Sequence, residues 1–161
     1  SWLMSCATLS TTEKLAMSPL YQITTREYQD IRGDFHVDTF LLCKDTGMTG
    51  STVVTVDRWR SAATNPWYSA QVQYVGSGWR FMEELLLRTD SRLHSLKDIS
   101  PSRDVLYGRA GTVEEIVTTN LSTEVLADLR ATQTLRVQYY ARPIDVPPDG
   151  IAALRAFLEI E

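Results

Sequence analysis

Trp67-Tyr68-Ser69-Ala70-Gln71-Val72-Gln73-Tyr74-Val75, followed by Gly76-Ser77-Gly78 and then Trp79-Arg80-Phe81-Met82-Glu83-Glu84-Leu85-Leu86-Leu87-Arg88, decides the fold class. In the first run Tyr68, Ala70, Val72 and Tyr74 alternate with Ser69, Gln71 and Gln73. That is the period-two pattern of a strand with one face buried. The Gly-rich turn and the aromatic start of the second run predict a return strand, and so a hairpin of 67–75 with 79–88. Met, Glu and Leu in the second run are also good helix formers, so a helix is the competing reading there.

Outward from this stretch the chain reads mostly as strand. Towards the N-terminus, Thr52 to Arg60 is β-branched, and Phe35 to Lys44 alternates. In the latter, His36, Asp38, Phe40 and Leu42 share one face. Phe35, Val37, Thr39, Leu41 and Cys43 share the other, which is the more apolar and is expected to face the core. Tyr21 to Tyr28 is a further candidate, and so are 92–96, 103–107, 112–118 and 134–141 towards the C-terminus. Ser122 is a candidate N-cap, with Glu124 in the first turn and Leu121 and Leu126 placed as a hydrophobic staple. This predicts a short helix near 123–131. Pro147-Pro148 opens a last helix near 148–159, with Ile151, Leu154, Phe157 and Leu158 as its inner stripe. Strands followed by helices predict an α+β, mostly-β domain: an antiparallel sandwich or half-open barrel over 21–161, preceded by an N-terminal segment or tether over 1–20.

Composition narrows the function classes. The 161 residues suit one domain, and 43% apolar with 22% charged is ordinary globular usage. A net charge of −4 disfavours a nucleic-acid partner. No run approaches the ~20 apolar residues of a membrane helix.

The chain opens Ser1-Trp2-Leu3-Met4-Ser5-Cys6, with small and polar residues after it. This resembles the end of a bacterial lipoprotein signal peptide, in which the cysteine is lipidated. The resemblance implies Cys6 as a lipid-anchor site and an exported location in the bacterial cell envelope or periplasm. The alternative is that Trp2, Leu3 and Met4 pack on the domain, with Cys6 free or bridged to Cys43. Residues 67–160 carry loose patterns: the Trp67 to Phe81 stretch, Asp90, Glu114 or Glu115 after a glycine turn, and a helix-strand-helix ending. In these the chain is similar to a type of small exported bacterial lipoprotein of unassigned function. That resemblance implies no activity.

Candidate chemistry is sparse, and no cofactor is expected. His36 and Asp38 on one strand face, with His94, have the residue types of a two-histidine, one-carboxylate metal site, but nothing in their spacing requires one. Cys6 and Cys43 are not spaced as zinc ligands. Gly76-Ser77-Gly78 is a turn and not a nucleophile elbow, and Gly47 to Thr52 lacks the lysine of a phosphate loop. In a regular strand over 79–88, Glu83 would face inward beside Phe81 and Leu85, as a candidate acid. The binding candidates are Arg58, Trp59, Arg60 and Trp67, as aromatics beside arginine at one loop; the alternative is that Trp59 and Trp67 are core residues closing one end of the sheet. The leading expectation is a non-enzymatic envelope domain that binds or scaffolds a protein, glycan or lipid. The alternatives are a small-ligand or lipid carrier, or a metal-dependent or acid-base enzyme using His36, Asp38, His94 or Glu83.

Overall fold

The computed structural model describes residues 23–31, 33–97, 101–106, 111–140 and 142–159. Among the described residues, ten strands run in two antiparallel sheets. The larger is built from β1 (Ile23–Asp30), β2 (Gly33–Thr46), β3 (Gly50–Ser61), β4 (Thr64–Gly76), β7 (Ser102–Val105) and β8 (Val113–Asn120), in the order β1-β2-β3-β4-β8-β7. The smaller, ordered β10-β9-β5-β6, uses β5 (Glu84–Arg88), β6 (Leu93–Lys97), β9 (Arg136–Gln138) and β10 (Ile144–Asp145). Helix α1 (Thr123–Ala131) follows β8, and α2 (Pro148–Leu158) closes the described chain. The sheets do not close into a barrel, so the fold is a mostly-β α+β sandwich.

The alternation of the sequence explains the core. Tyr68, Ala70, Val72 and Tyr74 of β4 all point into it, with Val54 and Val56 of β3 beside them. Leu85 and Leu87 of β5 and Val137 of β9 supply the facing layer. Phe157 of α2 stacks on Phe40 at 5.4 Å and meets Tyr68 edge-on at 6.3 Å. Burying a side chain of this size contributes about 1.5–3 kcal/mol.

The expected hairpin of 67–75 with 79–88 does not form. β4 lies between β3 and β8, while residues 79–83 are irregular and 84–88 form β5 of the other sheet, paired with β6 and β9. After Gly76 the chain leaves one sheet for the other instead of doubling back. A period-two pattern gives a strand and its faces but not its partner.

The expected core face of β2 is also corrected. Plain alternation carries the His36 and Asp38 face on to Phe40 and Leu42, and the register with β3 shifts only between Leu41 and Cys43, which brings Cys43 opposite Val54. Phe40 and Leu42 enter the main core, Cys43 packs against its edge, and Phe35 and Val37 are buried on the opposite face.

Both helices begin where expected. The Ser122 side chain accepts a hydrogen bond from Val125 N. Their ends are tied crosswise. Arg130 of α1 donates from Nε and Nη2 to Leu158 O at the end of α2 (3.2 and 3.0 Å), and Arg155 of α2 donates to Thr132 O at the end of α1 (2.5 Å). Each arginine thus satisfies carbonyls that a helix end leaves open and places a cation at a negative dipole end.

Candidate functional site

The crossover from β4 to β5 carries the most unusual local chemistry. Tyr74 points along β4 over Gly76 and its partner Gly50, which have no side chains in the way. A Cβ on Gly50 would lie 2.7 Å from the tyrosine ring, and one on Gly76 closer still. Arg80 also meets this ring: its guanidinium sits 4.1 Å from the Tyr74 centroid and 5.0 Å from that of Tyr140. Arg80 Nη1 also donates to Thr52 Oγ1 at 3.3 Å.

Glu115 holds the crossover in shape. Val113, Glu115 and Val117 alternate inward on β8, so the Glu115 carboxylate is buried, at 1% exposure. It accepts hydrogen bonds from Arg80 N (2.5 Å), Met82 N (3.1 Å) and Arg103 Nε (3.3 Å). Arg103, on β7 directly across from Glu115, also donates to Met82 O at 3.0 Å. The residue between the two gripped amides is Phe81. Its φ is 52°, a left-handed conformation that costs a non-glycine residue roughly 1–2 kcal/mol. Its side chain is 64% exposed, with Trp79 6.3 Å away and the Arg103 guanidinium 5.6 Å from its ring. Trp79 and Tyr140 are exposed as well.

Two clefts adjoin this ridge and share Arg80, Tyr139 and Tyr140. One, of about 570 Å³, runs along Phe81, Met82, Glu84 and Lys97. The other, of about 440 Å³, is walled by Lys44, Asp45 and Arg142. Tyr139 donates to Asp45 Oδ2 at 3.2 Å, and burial, reinforced by the Asp45 charge, pushes its hydroxyl up to about 12. The phenol therefore stays a donor at neutral pH.

The residues singled out in the sequence lie elsewhere. Arg58, Trp59 and Arg60 do not form one patch, because alternation puts Trp59 on the opposite face of β3 from the two arginines. Trp59 stacks on its cross-strand partner Trp67 at 5.6 Å, with Phe35 edge-on to both. Trp59 Nε1 donates to Ser69 Oγ. Both tryptophans are half-buried strand residues, not loop contacts. Arg58 is buried, and Arg60 is half-buried in a two-pronged pair with the buried Asp38 (2.8 and 3.1 Å).

His36 and Asp38 are on the large sheet, whereas His94 is on β6 of the small one. His94 Nε2 is hydrogen-bonded to Asp128 of α1 at 2.7 Å. Burial pushes the Asp128 carboxyl up, but the His94 hydrogen bond and the Arg92 charge outweigh it and hold it below the usual range. These groups fasten β6 to α1, and no cluster of metal-ligating residues occurs among the described residues. Glu83 is not an inward acid. The irregular stretch before β5 leaves it exposed, 3.9 Å from Arg103. Cys43 is a free thiol that burial, and then Asp45, push up to about 12, and Cys6 lies outside the described residues.

The sequence reading missed Arg80, Phe81, Tyr140 and the role of Glu115. A signal existed for Glu115: the same alternation that makes Val113 and Val117 inward makes Glu115 inward. Compared with known protein families, curated proteins and solved structures, the chain matches none.

Proposed function

We propose that this is a non-enzymatic binding domain whose contact is the ridge of Trp79, Phe81 and Tyr140, and that its partner is a protein. The observation that carries this reading is Phe81. A large aromatic is held out to solvent in a strained conformation, and the strain is sustained by a buried carboxylate on both neighbouring amides. Backbone strain persists only where the surroundings over-determine it, and it concentrates at sites of contact. Trp, Tyr and Arg are the side chains that dominate protein interfaces. The likeness of Ser1 to Cys6 to a lipoprotein signal end supports presentation of this ridge in the bacterial envelope.

The test is photo-crosslinking in cells with benzoylphenylalanine at position 83, and at Asn65 as a control, in the full chain with and without Phe81→Gly. Glycine relieves about 1–2 kcal/mol of left-handed strain. It returns roughly 0.4–1 kcal/mol through the unfolded chain. Stability is therefore expected to stay within ~1 kcal/mol of the parent while a discrete adduct at 83 disappears. An adduct that persists in Phe81→Gly, or that forms equally from position 65, counts against the ridge. A stability loss above about 2 kcal/mol would make Phe81 a packing residue.

A further inference from the structure

We infer that the 440 Å³ cleft beside the ridge is an acidic-group pocket, which receives a carboxylate of the bound protein segment while Phe81 and Tyr140 take its apolar neighbour. This rests on the ridge being the contact. Lys44, Arg80 and Arg142 line the cleft against a single carboxylate, Asp45. Three cations to one anion is the reverse of the whole chain, which has 20 acidic and 16 basic residues. None of the three cations has an ion-pair partner among the described residues. Asp45 is already occupied by the Tyr139 hydroxyl.

Arg80 is the centre of the pocket. Its guanidinium carbon lies 4.1 Å from the Tyr74 ring centroid and 5.0 Å from that of Tyr140, and one of its donors goes to Thr52. A guanidinium has five such donors in a rigid fork that matches a carboxylate. Contact with two rings and the hydrogen bond to Thr52 restrain the fork before a ligand arrives, which lowers the ordering cost of binding. Lys44 and Arg142 are exposed at the rim, where they raise the attraction for an anion without being needed for folding.

The test is an NMR titration of the full chain, read at the Arg80 side-chain Nε–H and the backbone amides of 80–82. The probes are N-acetyl-phenylalanine, which carries a terminal carboxylate, its uncharged amide, and N-acetyl-glutamate α-amide, which carries a side-chain carboxylate. At least one of the two acids is expected to saturate and to bind about tenfold or more tighter than the uncharged amide. The tighter acid identifies whether a chain end or an acidic side chain is the natural group. Lys44→Ala with Arg142→Ala, both at exposed positions, is expected to remove most of that advantage, and Arg80→Lys the remainder. An acid and an amide that titrate alike overturn the inference, as does a double variant that leaves the acid unaffected. Crosslinking at position 83 in the same double variant separates the two readings. An adduct that survives there but is lost in Phe81→Gly refutes the pocket and leaves the ridge.

Discussion

Replacing Glu115 by glutamine changes one atom in size and removes one charge, and its effect can be worked from the three hydrogen bonds the carboxylate accepts. If the glutamine oxygen takes the place that meets Met82 N and Arg103 Nε, its NH₂ faces Arg80 N, donor against donor. One charged hydrogen bond is lost and two others become weaker. Hydrogen bonds to a charged group contribute about 1.5–3 kcal/mol and neutral ones about 0.5–1.5. The sum is a loss of about 4–5 kcal/mol, in the range found when a buried ionic pair loses one member. For a chain of this size each kcal/mol moves Tm by roughly 2–4 °C, so Tm is expected to fall by about 10 °C. Equilibrium denaturation followed by circular dichroism measures the loss, and hydrogen exchange at the amides of Arg80 and Met82 locates it. Both amides should exchange faster than those of β3 and β4. A loss under about 1 kcal/mol, or unchanged protection at 80 and 82, would refute the account of Glu115 as the anchor of the crossover.

Two further outcomes concern titration and reactivity. Burial pushes the Asp57 carboxyl above its ordinary 3.8, against the Thr39 hydrogen bond and the Arg26 charge, which pull it down. The folded state therefore favours the protonated form. The stability Asp57 contributes is full below about pH 4 and is lost as pH rises through its folded value. Asp57→Asn, which keeps an acceptor for Thr39, is expected to be more stable than the parent at pH 7 and to match it near pH 3.5, with Tm measured across that span. A difference that is constant with pH, or of opposite sign, would contradict the burial argument. In a Cys6→Ser background, the Cys43 thiol, pushed up to about 12, should resist a disulfide reagent at pH 8 until denaturant is added. Rapid labelling of the folded protein would show that Cys43 is reached without unfolding.

How much of this was legible in the sequence depends on the range of the interaction. Ser122 with Glu124 marked α1, and the Ile151 to Leu158 stripe marked α2, because capping and amphipathicity act within a few residues. The inward faces of β4 and of residues 135–139 were legible for the same reason. Strand partnership was not. Nothing local to 79–88 says that it joins β6 and β9, and the register shift that brings Cys43 opposite Val54 leaves no composition signal. The site followed the same division. Arg58-Trp59-Arg60 looked like one patch because the residues are adjacent in the chain, yet adjacency in a strand separates them onto opposite faces. A regular strand over 79–88 makes Glu83 the misplaced acid, but the strand begins one residue later, at Glu84. The same test applied to Val113-Glu114-Glu115-Ile116-Val117 points to Glu115. What it grips, residues 80 and 82, lies more than thirty positions upstream, where no periodicity reaches.

The grip of Glu115 on main-chain amides has a consequence for how this surface can vary. Because the carboxylate holds the crossover by its main-chain N–H groups and not by its side chains, the crossover works as a tool-holder with an exchangeable bit. Positions 79, 81 and 83 can be rewritten to suit a new partner while the mount stays in place. Proline would break the mount itself: at 80 or 82 it has no N–H to offer, and at 81 its ring cannot adopt the positive φ. Libraries that randomise 79, 81 and 83 with Glu115 and Arg103 kept should thus yield folded proteins of altered preference, whereas a drift at Glu115 would blunt every tip at once.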